Sequence, residues 1–280
     1  GGDGNDFIFI DGIAADSQAE AFGGDGDDTI IGGTGLDRIN GGAGADFLDG
    51  GAGANNVLYY DTSDAGVNVN LETNEVSGGH AEGDTILNFR DVYGSNFDDV
   101  IIGTIDKNFI NSGGGADILD GGAGADFLGY EGSDEGVFIN LETGETSGGD
   151  AEGDVISNFE NLQGSGKDDH FIGSSGANVI FGREGNDIIE GGAGADDLKG
   201  NGGTDTLSYV SSDAGVTINL ETLTAAGGHA EGDSIRGFEN VSGSAHDDTI
   251  TGDSNANFLE GRNGDDVLIG GGGADDLRGG

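Results

Sequence analysis

The sequence predicts an all-β solenoid in which short parallel strands stack in successive coils. A nine-residue phrase recurs about eighteen times, a longer unit recurs twice, and 62 of the 280 residues are glycine. No stretch shows a helical period long enough to form a core helix. Tandem repetition of one short unit is typical of coils stacked along one axis and not of separate globular domains.

The nine-residue phrase reads Gly-Gly-x-Gly-x-Asp-x-apolar-x. Clear copies are "GGDGNDFIF" (1–9), "GGDGDDTII" (23–31), "GGTGLDRIN" (32–40) and "GGAGADFLD" (41–49). Looser copies follow, and the one at 50–59 is a residue too long. Glycine at the first, second and fourth positions permits positive φ and predicts a turn. The last three residues place one apolar side chain between two outward ones, which predicts a minimal strand.

Three inserts of 34 residues separate the blocks of repeats, at 60–93, 130–163 and 209–242. They carry matching phrases, "VNVNLET" at 67, "VFINLET" at 137 and "VTINLET" at 216, which lie 70 and then 79 residues apart. The two spacings differ by one small repeat, which indicates one continuous solenoid over 1–280. The repeats occupy 1–59, 94–129, 164–208 and 243–280. The stretch "IDGIAADSQAEAF" breaks the pattern and predicts an irregular loop over 10–22.

The chain is strongly acidic, with 54 acidic and 9 basic residues and a formal net charge of −45. Such a surface is a poor partner for nucleic acid and anionic membranes, and it favours cations. No apolar run approaches a membrane span, so we expect no membrane insertion by this segment. The absence of cysteine excludes disulfides and thiolate metal sites, and the absence of proline excludes collagen.

The aspartate at the sixth position is the candidate metal ligand. When coils stack, carboxylates two repeats apart fall on the same side, and the glycine turns leave carbonyl oxygens in the gap. Several oxygens with net negative charge suit a hard cation of flexible coordination, which describes Ca²⁺ better than Mg²⁺ or Zn²⁺. The predicted carboxylate ligands are Asp6, Asp28, Asp37, Asp46, Asp99, Asp117, Asp126, Asp169, Asp187, Asp196, Asp205, Asp248, Asp266 and Asp275. The predicted carbonyl ligands are Gly23, Gly32, Gly41, Gly121, Gly191 and Gly270.

Ions are needed because each coil is thin. One buried leucine or isoleucine per nine residues stabilises a coil by less than the ordering of its backbone costs. Repulsion among stacked aspartates opposes folding further. We therefore expect roughly ten bound Ca²⁺ ions, and we expect the calcium level to control folding itself.

The phrase GGxGxDxUx, with U a large apolar residue, resembles the repeats-in-toxin (RTX, haemolysin-type) calcium-binding family. The resemblance covers a little over half of the chain, and a tandem array of this motif is specific. It implies a right-handed parallel β-roll with Ca²⁺ between turns, held by the aspartate carboxylates and turn carbonyls. It also implies export by the type I secretion machinery of a Gram-negative bacterium, with folding outside the cell or at its surface. The 34-residue inserts resemble those of large secreted calcium-binding proteins of alphaproteobacterial type.

Two departures from the motif predict weaker sites. The second repeat after each insert carries asparagine at the sixth position, Asn108, Asn178 and Asn257, which keeps an oxygen but loses the charge. The first repeat after each insert, such as "GSNFDDVII", lacks the second and fourth glycines. Ligation at Asp99, Asp169 and Asp248 is therefore less secure.

The inserts predict a wider coil of the same solenoid. In "VNVNL" the side chains of Val67, Val69 and Leu71 alternate inward, and Ile86 and Phe89 are expected to pack inside the coil. Tyrosine begins each insert, at Tyr60, Tyr130 and Tyr209, and is expected to cap a hydrophobic row. An additional calcium loop remains open, using Glu82 with Asp84, Glu152 with Asp154, and Glu231 with Asp233.

The predicted function is a calcium-binding module, and not an enzyme. It would be unfolded at low Ca²⁺, fold in the extracellular medium, and support secretion and stability of a larger protein, of which this chain is a monomeric segment. A calcium-stiffened spacer of a large adhesin or surface-layer protein is the alternative. A solenoid enzyme acting on acidic polysaccharide is a remote third, because the few lysines and arginines are scattered and His80, His170, His229 and His246 form no catalytic set.

Overall fold

The structure, a computed structural model, describes residues 1–10 and 18–280. The chain forms two compact units, one of Gly1–Tyr130 with Asp150–Phe159 and one of Glu131–Gly149 with Glu160–Gly280. Within the described residues there is no α-helix, and no helix is long and apolar enough to cross a membrane. Three single-turn 3₁₀ helices are present, at Gly79–Ala81, Gly149–Ala151 and Gly228–Ala230.

Strands make up the rest of the regular structure. The strands up to the second insert are β1 (Phe7–Phe9), β2 (Gln18–Asp25), β3 (Thr29–Ile31), β4 (Leu36–Ala43), β5 (Phe47–Asp49), β6 (Val57–Tyr59), β7 (Asn68–Asn70), β8 (Glu75–Ser77), β9 (Thr85–Leu87), β10 (Asp91–Tyr93), β11 (Val100–Thr104), β12 (Phe109–Asn111), β13 (Ile118–Gly122) and β14 (Phe127–Gly129). The remaining strands are β15 (Phe138–Asn140), β16 (Glu145–Ser147), β17 (Val155–Ser157), β18 (Asn161–Gln163), β19 (His170–Ile172), β20 (Val179–Glu184), β21 (Ile188–Glu190), β22 (Asp197–Gly202), β23 (Thr206–Ser208), β24 (Thr217–Asn219), β25 (Thr224–Ala226), β26 (Ser234–Arg236), β27 (Asn240–Ser242), β28 (Thr249–Thr251), β29 (Phe258–Glu260), β30 (Val267–Ile269) and β31 (Asp276–Arg278).

In the first unit, consecutive strands along the chain belong to different sheets, apart from the hairpin of β7 with β8. Strands β1, β3, β5 and β9 pair in that order, β2, β4, β6, β10, β12 and β14 form a second sheet, and β8, β7, β11, β13 and β17 form a third. All pairs are parallel except the hairpin of β7 with β8. Parallel pairing with the strand two repeats away produces coils, as the nine-residue period predicts.

The second unit repeats this arrangement. Strands β18, β20, β22 and β26 form one sheet, β16, β15, β19, β21, β23, β27, β29 and β31 a second, and β25, β24, β28 and β30 a third. The antiparallel pairs are the insert hairpins β15–β16 and β24–β25. The prediction of a β-roll of stacked parallel strands is confirmed.

The core is a column of single apolar side chains from the eighth position of each repeat. Those fully or almost fully buried are Ile30, Ile39, Leu48, Leu119, Leu128, Ile189, Leu198 and Leu207. In the coils at the two ends, Ile8 and Leu268 are half-buried and Leu277 is exposed. The predicted inward residues of the inserts, including Val67, Val69, Leu71, Ile86, Phe89 and the three tyrosines, are buried as well.

Each insert contains a concealed repeat. In the first insert "GGHAEGDTIL" (78–87) is a nonapeptide with one added residue, and its turn holds the 3₁₀ helix. Strand β9 then pairs with β5, which aligns Leu48 with Ile86 and places Asp84 beside Asp46. The second and third inserts align Leu119 with Ile156 and Leu198 with Ile235 in the same way. The inserts are thus a hairpin followed by a modified coil.

The predicted loop over 10–22 is wrong at its end. Its residues 11–17 lie outside the described residues, but Gln18–Phe22 belong to β2 and pair in parallel with Leu36–Asn40 of β4. The reason is a period of two, in which Ala21 is buried while Glu20 and Phe22 point outward. Glu20 accepts a hydrogen bond from Arg38 at 3.2 Å across the pair. That 1–280 forms one continuous solenoid stays a prediction.

The column of single apolar residues makes each one costly to lose. We expect Leu198→Ala to lower the free energy of unfolding by about 2–5 kcal/mol, because a fully buried side chain leaves a cavity. Urea denaturation in millimolar Ca²⁺, followed by circular dichroism, measures this loss. The matched control is Val267→Ala, an outward strand residue that is 51% exposed, and equal midpoints for the two variants would contradict the assigned core.

Candidate metal centres

The sixth-position aspartates form a ladder between coils. The carboxylate oxygen Oδ1 of Asp46 accepts the N–H of Asp28 at 2.8 Å, and Asp187 accepts the N–H of Asp169 at 2.9 Å. The same bond is made by Asp28, Asp117, Asp126, Asp196, Asp205, Asp266 and Asp275 to the sixth-position residue of the coil before. One oxygen of each carboxylate is therefore used to fasten two coils together.

The second oxygen is the chemically unusual one. It is buried and accepts no hydrogen bond, within the described part of the chain, in Asp28, Asp46, Asp187, Asp196, Asp205 and Asp266. In Asp37 the buried oxygen without a partner is Oδ1. An ionised oxygen removed from water without a partner is strongly unfavourable.

These second oxygens face carbonyl oxygens, and glycine makes the approach possible. A Cβ atom on Gly23 would lie 2.1 Å from Asp28 Oδ2 and 2.2 Å from the carbonyl oxygen of Gly41 in the next coil. The corresponding distances at Gly182 are 2.2 Å to Asp187 Oδ2 and 2.8 Å to the carbonyl of Gly200. Two acceptors thus converge where only glycine fits, an arrangement that a cation can satisfy.

The predicted carbonyl ligands divide into three groups. The carbonyls of Gly23 and Gly41 converge with Asp6 Oδ2 and Asp28 Oδ2, respectively. Those of Gly121, Gly191 and Gly270 instead converge with the side-chain oxygens of Asn108, Asn178 and Asn257. The carbonyl of Gly32 lies 2.6 Å from the Cβ position of Gly51, beside the carbonyl of Gly33.

The asparagines replace the missing charge with a donor. The Nδ2 atoms of Asn108, Asn178 and Asn257 donate to the carbonyls of Arg90, Glu160 and Glu239 at 2.6, 2.5 and 2.8 Å. The donor occupies the place of the ladder oxygen Oδ1, and the asparagine oxygen takes the place of the second carboxylate oxygen beside the turn carbonyl, so the carboxylate charge is absent there. This geometry supports the expectation of weaker or absent ion binding at these coils, which stays a prediction.

The first repeat after each insert is satisfied by serine. Ser95 donates its N–H to Asp99 Oδ2 at 2.6 Å and its hydroxyl to Asp99 Oδ1 at 2.7 Å. Ser165 and Ser244 make the same two bonds to Asp169 and Asp248. The serine that replaces the second glycine therefore already binds both carboxylate oxygens. Asp6 and Asp37 also accept one N–H from their own turns, from Gly2 and Gly33.

The inserts contain carboxylates that sequence reasoning did not place in the ladder. Asp84, Asp154 and Asp233 accept the N–H groups of Asp46, Asp117 and Asp196 at 2.8, 2.9 and 2.9 Å. Their Oδ2 atoms accept the hydroxyls of Tyr60, Tyr130 and Tyr209 at 2.9, 2.7 and 2.8 Å. The constant spacing of 24 residues between tyrosine and aspartate was the signal that could have identified these pairs.

The acidic partners proposed for these aspartates serve another purpose. Glu82 and Glu231 accept the N–H groups of Gly78 and Gly227 at 3.0 Å, which closes the turn that begins each 3₁₀ helix. Asp84 is engaged by Tyr60 and Asp46 instead. The geometry therefore offers no support for a calcium loop built on Glu82 with Asp84 or on Glu231 with Asp233.

Within residues 1–10 and 18–280, no group of three or more His, Cys, Asp or Glu side chains gathers as a metal site. Among these residues, the oxygen atoms that converge are carboxylate oxygens with backbone carbonyls. That is the combination that converges at Gly23, Gly182 and their equivalents.

Comparison with known families agrees with this geometry. A family model of the RTX calcium-binding nonapeptide repeat, which describes four copies, matches residues 22–57, 93–128, 158–188, 172–207 and 242–277. These matches cover more than half of the chain. The chain belongs to the RTX calcium-binding nonapeptide repeat family. No curated protein matches it.

RTX nonapeptide repeats bind Ca²⁺, and they are typical of secreted Gram-negative proteins. The family is a structural calcium-binding module and not an enzyme family. The chain is therefore a calcium-binding β-roll of the kind found in secreted proteins.

Burial disfavours charge on the RTX ladder when no ion is bound. Burial raises the pKa of Asp84, Asp187 and Asp196 to about 7 and that of Asp205 to about 6, and neighbouring carboxylates add to the shift. Burial also raises the pKa of Asp117 to about 7, although a hydrogen bond from Ser112 opposes it. Without an ion, burial therefore favours the protonated form at these five carboxyls.

These shifts predict how the metal-free RTX coils respond to pH. The folded-state pKa values of Asp187 and Asp196 are about 7, above the ordinary value of 3.8. Between these two pH values the folded state therefore binds more protons than the unfolded state. Stability in chelator should therefore fall as pH rises from about 4 to about 7. We expect more β-structure by circular dichroism at pH ~5 than at pH ~7.5 without calcium. The opposite order, in a sample shown to be monodisperse, would contradict the buried ladder.

Proposed function

We propose that this chain is a calcium-dependent folding module that is unfolded at low Ca²⁺ and folds outside the cell. In this role it supports type I secretion and the stability of a larger secreted protein of a Gram-negative bacterium. The observation that carries the proposal is the set of buried carboxylate oxygens that face turn carbonyls without a donor between them.

Named residues would hold the ions. Asp28, Asp187 and Asp205 each bring a buried Oδ2 to a point where a carbonyl of the next coil also converges. Calcium would supply positive charge between these oxygens. The ladder bonds through Oδ1 hold each carboxylate at a fixed height, so that its second oxygen reaches the gap between coils. We propose about ten ions per chain.

Charge and thin packing make folding depend on these ions. A net charge of −45 opposes compaction, and each nonapeptide contributes one apolar side chain to the column. Because a ligand that binds only the folded state stabilises it by mass action, calcium shifts the equilibrium towards the coil. Extracellular calcium modules bind with a Kd of about 10⁻⁴–10⁻³ M, far above cytosolic calcium, so the chain would stay unfolded during transit through the secretion machinery.

A calcium-stiffened spacer of an adhesin or surface-layer protein is the second candidate. The repetition of one architecture in both units favours it, because identical coils extend length without adding a new activity. The two candidates share the same ion sites and differ in what the larger protein does.

Calcium-dependent folding is tested directly by titration. We expect coil-like circular dichroism in chelator and cooperative formation of β-structure as Ca²⁺ reaches millimolar concentrations, because the metal and the fold are linked. Mg²⁺ should substitute poorly, since it demands octahedral geometry and gives up water reluctantly. A metal-stripped chain that is already compact, with the same melting temperature in calcium, would refute the proposal.

The ligand assignment is tested by one aspartate. Asp196→Ala should raise the calcium concentration at the folding midpoint severalfold, because it removes both the ladder bond to Asn178 and the buried Oδ2. The control is Asp134→Ala, an exposed aspartate outside the repeats, which carries the same change in charge. Equal midpoints for the two variants would count against Asp196 as a ligand.

A further inference from the structure

Near the end of the third insert, the hydrogen-bond acceptors of Asp205, Gly237 and Glu239 lie close together. We call these three residues the third junction. Asp205 is fully buried, its Oδ1 accepts the N–H of Asp187 at 2.8 Å, and its Oδ2 has no partner among the described residues. A Cβ on Gly200 would lie 2.4 Å from that Oδ2 and 2.0 Å from the carbonyl oxygen of Gly237. A carboxylate oxygen and a carbonyl oxygen therefore converge on one point.

Glu239 adds a second carboxylate to this junction. Its Oε2 accepts the N–H of Asp205 at 2.9 Å, so it takes the place in the ladder that an aspartate holds in a nonapeptide. The charges of Glu239 and Asp205 repel each other in this position. Asp205 Oδ2 and the Gly237 carbonyl oxygen thus converge on one point, and the Glu239 carboxylate is held next to Asp205 by its N–H, with no positive group supplied by the three residues.

The corresponding residues at the end of the first insert are Asn56, Asn88 and Arg90, which we call the first junction. Its backbone matches that of the third junction, but its side chains supply donors in place of acceptors. Asn56 corresponds to Asp205, and its Nδ2 donates to the carbonyl of Asn88 at 3.2 Å. A Cβ on Gly50 would lie 2.4 Å from that carbonyl oxygen, and one on Gly200 would lie 2.0 Å from the carbonyl oxygen of Gly237. A donor therefore meets the carbonyl that a carboxylate oxygen meets in the third junction.

Arg90 occupies the position in the first insert that Glu239 occupies in the third. Its guanidinium donates to the carbonyl of Ala54 at 3.3 Å, and also to the carbonyl of Lys107 and the side-chain oxygen of Asn55. The first junction thus carries its own positive charge, which reaches turn oxygens both before and after it along the chain.

The two backbones match, so side-chain chemistry alone separates the junctions. Asn88 and Gly237 both have left-handed φ angles, of 61° and 69°. The carbonyls of Arg90 and Glu239 each accept the Nδ2 of an asparagine 18 residues later, at 2.6 and 2.8 Å. The spacing from the sixth-position residue to the ladder residue is 34 in both, from Asn56 to Arg90 and from Asp205 to Glu239.

We infer that the third junction is a divalent-cation site formed by the carboxylates of Asp205 and Glu239 and the carbonyl of Gly237. The first junction is its metal-independent counterpart, in which the Asn56 amide and the Arg90 guanidinium replace the ion. The inference rests on the proposed function for the identity of the ion, which oxygen ligands of this kind assign to Ca²⁺. It adds Glu239 and Gly237, which lie outside the nonapeptide repeats, to the metal ligands.

The loss experiment uses Glu239→Gln in the full chain. Glutamine keeps an acceptor for the N–H of Asp205 but removes the charge, so we expect one fewer calcium ion per chain. The ions are counted by equilibrium dialysis and atomic emission, at the lowest calcium concentration that saturates the wild-type chain. The control is Glu221→Gln, an exposed residue with the same change in charge, which should leave the count unchanged. An unchanged count in Glu239→Gln, or an equal loss in both variants, overturns the inference.

The gain experiment transfers the site to the first junction. The double variant Asn56→Asp with Arg90→Glu recreates the acceptors of the third junction in a matching backbone, and we expect it to bind one ion more than the wild type. If Glu239→Gln fails to fold, this variant decides alone, because a count that does not rise overturns the inference. A wild-type chain that binds no calcium would overturn the proposed function as well, whereas a normal wild-type count with neither loss nor gain overturns only the junction site.

Discussion

The contact on which the structure depends is between oxygens, at the turns where one coil meets the next. Along the strands, parallel hydrogen bonds and one buried apolar residue per repeat join the coils in the ordinary way. At the turns a carboxylate oxygen and a carbonyl oxygen approach the same point, and the approach is close enough to require glycine. Acceptors do not bind acceptors, so each such contact needs a positive group from elsewhere.

The chain meets this need in several ways. In coils such as those of Asp28 and Asp187, the second oxygen has no hydrogen-bond partner among the residues that the structure describes, and it suits an ion. After each insert, serine first binds both oxygens of the carboxylate, and then asparagine supplies a donor of its own. At the first junction the guanidinium of Arg90 donates hydrogen bonds to turn oxygens. We therefore expect the coils that follow an insert to depend least on metal, and the coils farther along their block to depend on it most.

The inserts continue the ladder of carboxylates and the apolar column. Each one ends in a modified repeat whose aspartate joins the ladder, and a buried tyrosine hydroxyl binds the oxygen that would otherwise lack a partner. The hairpin in each insert adds strands, and its buried residues extend the column of apolar side chains. Apolar packing is thus greater at the inserts than at the nonapeptides. Such apolar segments between the blocks of repeats are compatible with the proposed calcium-dependent folding.

The sequence by itself determined the coil, its register and the nature of the ion. The spacing of glycine, aspartate and one apolar residue every nine positions leaves few structures other than stacked parallel strands, and it puts Asp28 and Asp46 on one side. It did not reveal that Asp84 is a rung of the ladder, because one added residue conceals the repeat. The equal inserts place Arg90 and Glu239 at the same position, but the sequence could not tell that Arg90 lies against Asn56 and Glu239 against Asp205. Those pairings join residues 34 to 38 positions apart, across an insert, and only the packed backbone brings them into register.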